Sequence, residues 1–327
     1  MTDGTPEHTA VEGRRPRLRT AALALCLLLL AGPAALAAAR LLGLDDGTRW
    51  ALPMSFLPHA ALLTVLLLAA LAGLRRWWAV GLAAALAVLQ LCWLLPRALP
   101  DGTDVPAAAP RLRVATSNAF MGGISPRAVV DLVREQRVDV LAMEELGDSA
   151  ADALDRAGLR ELLPHREKPE HGDTVIYTRL PVSSGPDPAW PTTNLAVDVG
   201  GRSVRIVAVH TYYPLGDPRA WADGLHRLRA AAPGRTRDAV LLGDFNATLD
   251  HKPMRDLLAT GLTDTHDQLG AGLFPTWPQD HPDYAAPPLI QIDHVLHGPA
   301  LTAVSVDEHA MARSDHRAVV AELAVTG

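Results

Sequence analysis

Nine polar residues share one kind of sequence context. Asn118, Glu144, Glu145, His210, Asp244, Asn246, Asp293, Asp315 and His316 each lie in or beside a short apolar run. Asn118 follows residues 112–117, and Glu144 and Glu145 follow 138–143. His210 closes 203–209, and Asp244 and Asn246 follow Val240-Leu241-Leu242-Gly243. Asp293 lies inside 290–296, and Asp315 and His316 precede 318–323. Carboxylate and amide oxygens are the ligands a hard divalent cation takes. Histidine titrates near neutral pH and moves protons. Brought together, such a set would do metal-assisted or acid–base chemistry. Taken singly, each residue has an ordinary structural role: Asn118 caps a turn, Glu145 starts a solvated helix, His210 is a core histidine with its bonds satisfied.

The elements that must position these groups read as mixed α/β. Apolar runs of strand length alternate with turn signals and helical patterns from Arg111 on. Ser125-Pro126 predicts an N-cap and first helical residue. Gly200-Gly201 between two β-rich runs predicts a hairpin. Residues 218–231 read as a helix, and Asp250 as the cap of another. Catalytic groups in α/β folds gather at strand ends and their loops, on a rigid frame. Two packed sheets covered by helices are expected.

The first third of the chain is of another kind. It holds 9 of the 30 Lys+Arg and 7 of the 36 Asp+Glu in residues 1–110, a net of +2; the other 21 and 29 give residues 111–327 a net of −8. Residues 20–39, 50–74 and 77–96 carry no charge and predict three transmembrane helices, since a span takes about 20 residues. The domain reading is a basic cytoplasmic N-terminus at 1–19, an anchor at 20–96, a stiff Pro/Ala linker at 97–110 and a folded domain at 111–327. Arg14, Arg15, Arg17 and Arg19, with Arg75 and Arg76 between the second and third segments, place those ends inside and the domain outside the cytoplasm. The predicted location is therefore the cell membrane, multi-pass, with an extracytoplasmic domain. The first segment also reads as a signal peptide, cleaved after the small residues 34–39, which leaves the domain on the same side. Cys26 and Cys92 both lie in apolar runs and read as small buried residues.

Six segments together resemble one family: Ser117-Asn118, Met143-Glu144-Glu145-Leu146, Val209-His210-Thr211, Gly243-Asp244-Phe245-Asn246-Ala247-Thr248, Gln291-Ile292-Asp293-His294 and Ser314-Asp315-His316. In identity and order they are similar to the endonuclease/exonuclease/phosphatase superfamily, of DNase I-like fold, over about 111–325. The resemblance implies a four-layer α/β/β/α sandwich, and a hydrolase cleaving phosphodiesters or phosphomonoesters by metal-assisted water attack, with Mg²⁺ as cofactor and Mn²⁺ as the alternative. It makes Glu145 the main metal ligand, with Asn118 and Asp315 close by. Asp244 would orient or deprotonate the attacking water, and Asn246 would donate to phosphoryl oxygens. His316 would contact the phosphate or transfer a proton, its ring held by Asp293, and His210 would bind from the other side. Glu144 stands where the family has Gln. Adjacent strand residues face opposite ways, so one of the two glutamates is the ligand. His294, His297 and His309 have no implied role and are read as surface or supporting residues.

The implied partners are a phosphate-ester substrate, nucleic acid or phospholipid head group, and the bilayer; no protein partner is predicted. Thr248 and Ile292-Asp293-His294 depart from the inositol-polyphosphate phosphatase motifs. The acidic domain disfavours a broad grip on duplex DNA, because such affinity comes from Lys and Arg against phosphates. The domain holds 11 of the 13 histidines, yet no zinc-hydrolase motif. The apolar loop 273–278 is assigned to the core. The reading from a different class is an inactive binding module on the same fold within a membrane complex; the presence of Glu145, Asp244 and His316 weighs against it.

Overall fold

The computed structural model describes residues 7–169, 172–279 and 287–327, with side chains from residue 18 on. Arg14, Arg15 and Arg17 thus lie outside the described side chains. Four helices come first: α1 (Glu7–Leu42), α2 (Ala51–Met54), α3 (Leu57–Gly73) and α4 (Trp77–Leu94), the last running into a 3-10 turn at Leu95–Ala98. Next come β1 (Arg111–Asn118), α5 (Pro126–Gln136), β2 (Val140–Glu144), α6 (Asp148–Arg156), α7 (Leu159–Leu162), β3 (His165–Glu167) and β4 (Val175–Thr178). Then follow β5 (Val182–Ser184), β6 (Asn194–Val199), β7 (Arg202–His210), α8 (Pro218–Ala231), β8 (Ala239–Asp244), α9 (Lys252–Leu258) and β9 (Thr263–Asp264). The series ends with α10 (Thr265–Gln268), β10 (Asp293–His297), β11 (Leu301–Ala310) and β12 (Arg317–Val325).

These elements form two units. One holds the residues up to Gly43 and Phe56–Leu94; the other holds Leu44–Ser55 and Leu95–Gly327. Leu18–Leu42 and Trp77–Ala98, the latter running on past the first unit, are long and apolar enough to cross a membrane, and their most apolar stretches are mostly exposed. The expected second span over 50–74 is not continuous. Its first part, Ala51–Met54, is a separate turn with Ala51 and Met54 buried, and Pro58 starts α3 afresh. What remains apolar and helical is the 17 residues of Leu57–Gly73, about 26 Å at the α-helical rise. Two long apolar helices and one shorter one therefore replace the three expected spans. Cys26 is buried and Cys92 exposed, and neither forms a disulfide; Cys92 is thus not the buried residue expected.

In the second unit, one six-stranded sheet runs β11-β12-β1-β2-β4-β3 and the other β5-β6-β7-β8-β10-β9. Their inner faces share a core that includes Leu112, Val114, Val140, Ile206, Leu242, Val295 and Val319. Helices α5, α6 and α7 cover the first sheet through Val129, Val133, Leu154 and Leu159. Helices α8 and α9 cover the second through Trp221, Leu225, Met254 and Leu257. The result is the α/β/β/α sandwich. Local signals behave as read: Ser125 Oγ accepts from Ala128 N–H ahead of α5, and Gly200-Gly201 turns β6 into β7. Asp250 is not the N-cap residue of α9. It binds Arg97 instead, and His251 occupies the N-cap position of α9. The same compact unit also takes in Leu44–Ser55 and residues 95–110, and the segment read as a linker is bonded to the sandwich through Arg97 and Asp101.

Candidate active site

Strand order brings the polar residues to one end of the sandwich. In the first sheet, β1 and β2 are parallel and adjacent, with Asn118 opposite Glu144. In the second, β7 and β8 are parallel with His210 opposite Asp244, and β10 places Asp293 opposite Asp244. Asp315 and His316 precede β12. Gly243 carries φ +146°, and a Cβ there would sit 1.9 Å from the Val209 carbonyl oxygen. Only glycine lets β8 lie this close to β7 one residue before Asp244.

The two sheets are joined at this end by Asn118. Its Nδ2 donates to Glu145 Oε1 and to Asp244 Oδ2, both at 3.1 Å. Glu145 Oε2 accepts from the Met121 N–H at 2.7 Å. Glu145 lies one residue past the end of β2 and takes φ +52°, which turns its carboxylate toward the site. Glu144, the last strand residue, is fully buried; its Oε1 accepts from Thr116 Oγ1 at 2.7 Å, and Oε2 has no hydrogen-bond partner. Burial pushes its carboxyl well above the usual range, and the Asp293 and Asp244 charges push the same way against the Thr116 bond. Glu144 is thus buried with its carboxyl pushed toward the protonated form, and the half-buried Glu145 is the ligand candidate of the pair.

Two histidines flank Asp244. His316 Nδ1 donates to Asp293 at 2.9 Å from Oδ2 and 3.1 Å from Oδ1. Its Nε2 lies 3.8 Å from Asp244 Oδ2 and 3.9 Å from Asp315 Oδ1. Burial disfavours its charge, but the Asp293 and Asp244 carboxylates outweigh burial and lift its pKa to about 10. His210 Nδ1 bonds Asp173 Oδ2 at 2.8 Å, and its Nε2 is 3.8 Å from Glu145 Oε1 and 4.0 Å from Asp244 Oδ2. Burial again opposes its charge and is again overcome, here by the Asp173 bond and the Asp244 charge, giving about 9. Asp244 itself is pushed up to about 6 by burial and by Asp293, against the two histidines.

The remaining site residues are fixed by their neighbours. Asn246 takes φ +47°. Its N–H donates to Asp244 Oδ1 at 2.8 Å, and Nδ2 donates to the Thr211 carbonyl at 3.1 Å and to Asp244 Oδ2 at 3.2 Å. Asp315 Oδ2 accepts from Trp277 Nε1 at 3.1 Å, while its buried Oδ1 accepts no hydrogen bond. Thr276 Oγ1 accepts the N–H groups of Ile292 and Asp293 at 3.1 and 3.2 Å. All eight residues singled out as catalytic or metal-binding thus come together at this end, His210 and Asp315 through charge contacts of 3.8–4.0 Å and the others through hydrogen bonds.

Two sets of donors are candidates for a cation. Asp244, Asp293 and His316 have ligand atoms within 4.8 Å of one another. In that triad the His316 ring already lies between the two carboxylates, with Nδ1 bonded to Asp293 and Nε2 3.8 Å from Asp244 Oδ2. The second set, Glu145 with Asn118 and Asp315, offers oxygen donors, as a hard divalent ion requires. The orphaned Asp315 Oδ1 is a buried anionic oxygen that a cation would satisfy. The residues present therefore fit a divalent metal, with the second set the better holder.

Asp173, Thr116, Thr276 and Trp277 were not read from the sequence. Asp173 lies in a Gly-Asp-Thr turn without a motif, and Trp277 is bonded through a side chain 38 residues from its partner. His294 and His297 are buried, not at the surface. His294 Nδ1 bonds Asp264 Oδ2 and Nε2 bonds the Ala247 carbonyl, both at 2.8 Å. Leu273 and Phe274 are exposed, so the loop assigned to the core places Thr276 and Pro278 there and not its apolar tip.

A two-sheet sandwich with carboxylates, amide and paired histidines at one end defines a metal-dependent phosphoesterase architecture. The model of the endonuclease/exonuclease/phosphatase family matches residues 115–316, and the chain belongs to that family, whose members are phosphate-ester hydrolases that depend on divalent metal. Among solved structures, the endonuclease/exonuclease/phosphatase from Beutenbergia cavernae is 21% identical, with 67% of this chain and 72% of that one covered and a TM-score of 0.54. TDP2 from D. rerio, solved with a single-strand DNA product, is 17% identical over 65% of this chain and 98% of that one, at 0.52. A conserved protein of unknown function from Enterococcus faecalis is 13% identical over 65% and 100%, at 0.51. At such identities the likeness is one of fold. No curated protein matches the chain.

Proposed function

We propose that the chain is a membrane-anchored, Mg²⁺-dependent phosphoesterase that cleaves phosphodiesters or phosphomonoesters by attack of water. The observation that carries this reading is the Asn118 amide bound at once to Glu145 and Asp244, which puts the metal-holding and water-activating carboxylates on one side chain. Glu145, Asn118 and Asp315 would hold the ion, Mg²⁺ or alternatively Mn²⁺. When bound, it supplies Lewis-acid polarisation of the phosphoryl oxygen and neutralises developing charge.

The protein groups do the rest. Asp244 Oδ2 orients the attacking water and takes its proton, a task suited to a carboxylate lifted to about 6. His316 keeps Nδ1 on Asp293, which leaves its Nε2–H to face the phosphate. His210 Nε2–H approaches from the other side, held by Asp173. Fixed donors of this kind stabilise charge without reorganising during the reaction. Asn246, bonded to both carboxylate oxygens of Asp244, orients that base.

The anchor reading rests on the two long apolar helices. Leu44–Ser55 and Leu95 onward belong to the same unit, so the chain leaves it through α3 and returns through α4. With Arg75 and Arg76 between those helices, the positive-inside rule places that turn in the cytoplasm and the catalytic unit outside it. The substrate is either nucleic acid or a phospholipid head group. The test uses the full chain in lipid nanodiscs against DNA, RNA, sphingomyelin, phosphoinositides and bis(4-nitrophenyl) phosphate, with Mg²⁺ and with EDTA. Metal-dependent turnover of one of them is expected; turnover that persists in EDTA would overturn the reading.

A further inference from the structure

The turn directly after the candidate catalytic loop, Leu249–Lys252, is held by two segments remote in sequence. Arg97 Nη1 and Nη2 donate to Asp250 Oδ2 and Oδ1 at 3.0 Å each, and Nη2 also donates to the Leu249 carbonyl at 3.1 Å. His251 Nε2 donates to the Ala51 carbonyl at 2.8 Å. Asp45 Oδ2 accepts the Lys252 N–H at 2.5 Å. That bond caps α9, whose own N-cap residue His251 makes no side-chain cap. Asp45, Ala51, Met54 and His251 are all fully buried. Ala51 completes the cluster of Trp221, Phe245 and Met254, and Trp221 meets the His251 ring edge-on at 5.0 Å.

The same turn is bonded to the catalytic loop. The Thr248 N–H donates to His251 Nδ1 at 2.8 Å. With Nδ1 accepting and Nε2 donating, His251 is a neutral imidazole of fixed tautomer. It joins the 44–55 loop on one side to the Asp244–Thr248 loop on the other. Arg97 gives the buried Asp250 carboxylate its partner, and a buried charge stripped of its partner is strongly unfavourable.

From this we propose that residues 44–55 and 95–101, the stretches adjoining the apolar helices, are positioning segments of the active site, with Asp45 and Arg97 as positioning residues. They fix the Leu249–Lys252 turn and so the placement of Asp244 and Asn246. Neither segment touches substrate. The proposal rests on the phosphoesterase reading for its kinetic arm and on the fold alone for its second arm.

The test uses the full chain in nanodiscs, with Mg²⁺ and bis(4-nitrophenyl) phosphate. Asp45→Ala should lower kcat about tenfold with KM within about twofold, because misplacing a reacting group by about 1 Å costs up to ~10²-fold. Asp45→Asn keeps an oxygen acceptor for Lys252 N–H and should restore kcat to within about twofold. Arg97→Gln should be impaired, and Arg97→Gln with Asp250→Asn, which removes both charges, should recover. Amide hydrogen exchange is the second arm: Asp45→Ala should accelerate exchange at 244–252 and leave β1 and β12 protected. Wild-type kcat and exchange in Asp45→Ala would overturn the proposal, as would a loss of protection spread over the whole domain. If the wild type hydrolyses nothing, the phosphoesterase reading fails, and the exchange arm still decides this one.

Discussion

His316 Nδ1 donates to both oxygens of Asp293, leaving the opposite ring nitrogen within 4 Å of both Asp244 and Asp315. The ring is therefore oriented from β10, in the second sheet, although it precedes β12, in the first. Asp293→Asn keeps the shape and removes the charge. Because Asp293 and Asp244 raise the His316 pKa to about 10, losing one of them lowers it. Turnover that needs protonated His316 should then fail at lower pH than in the wild type. The pH–rate profile measures this, with a drop in kcat of about 10²–10⁴-fold. An unmoved alkaline limb would refute the role.

The adjacent glutamates should behave as opposites. Burial raises the Glu144 pKa well above its ordinary value, so Glu144→Gln should keep kcat within about threefold, as an isosteric swap that preserves the Thr116 bond. Glu145→Gln should cost about 10²-fold or more and weaken metal binding. Glu144 also has a pH signature. Its folded pKa is raised, so the native state binds more protons than the unfolded one above pH 4.5. Wild-type stability then falls as pH rises above 4.5, and the thermal midpoint of Glu144→Gln should gain on it progressively.

Asp264 and His294 form a second buried pair whose stability depends on pH. The His294 pKa is raised from 6.5: burial opposes this, and the Asp264 bond and charge prevail. Its contribution is full below 6.5 and is lost as pH rises through the raised value. The Asp264 pKa is lowered from 3.8, with burial overcome by the bond to His294. Its contribution is full above 3.8 and is lost as pH falls through the lowered value. Between pH 3.8 and 6.5 the pair is intact. Asp264→Asn should cost about 3–5 kcal/mol there, the usual penalty for breaking a buried pair. The gap from wild type should narrow as pH rises past 6.5 and through the His294 pKa, as read by urea unfolding across pH. A gap that widens instead would contradict the sign.

Metal binding should be visible without turnover. A ligand at about 100 times its Kd stabilises the native state by about 2.7 kcal/mol. Added Mg²⁺ should raise the thermal midpoint of the catalytic unit by a few degrees, and EDTA should reverse it. Glu145→Ala and Asp315→Asn should abolish the shift. Asp293→Asn should retain it, because Asp293 is committed to His316. A shift lost in Asp293→Asn and kept in Glu145→Ala would move the ion to the Asp244–Asp293–His316 group.

The sequence showed best what local chemistry dictates. Ser125-Pro126, Gly200-Gly201 and the 218–231 helix are set by neighbouring residues, and each forms as read. The strand-end residues were legible because their motifs lie beside apolar runs. Tertiary bonds were not legible. Asp250 looked like a cap until Arg97, 153 residues away, claimed it. Residues 50–74 looked like one uncharged span because composition does not show that Ala51 and Met54 belong to a protein core. Asp173 and Trp277 act through single side-chain bonds that leave no periodic trace.

The burial of Asp45 and Ala51 also sets an order of assembly. Their partners, Lys252 and His251, lie 207 and 200 residues further along the chain. At ribosomal speeds of about 5–20 residues per second, that separation is roughly 10–40 s of synthesis. For most of that interval the loop has left the ribosome while its docking surface does not yet exist. The sandwich consequently closes last around a piece made near the beginning, and a ribosome stalled before α9 leaves Asp45 and Ala51 without the surface that buries them.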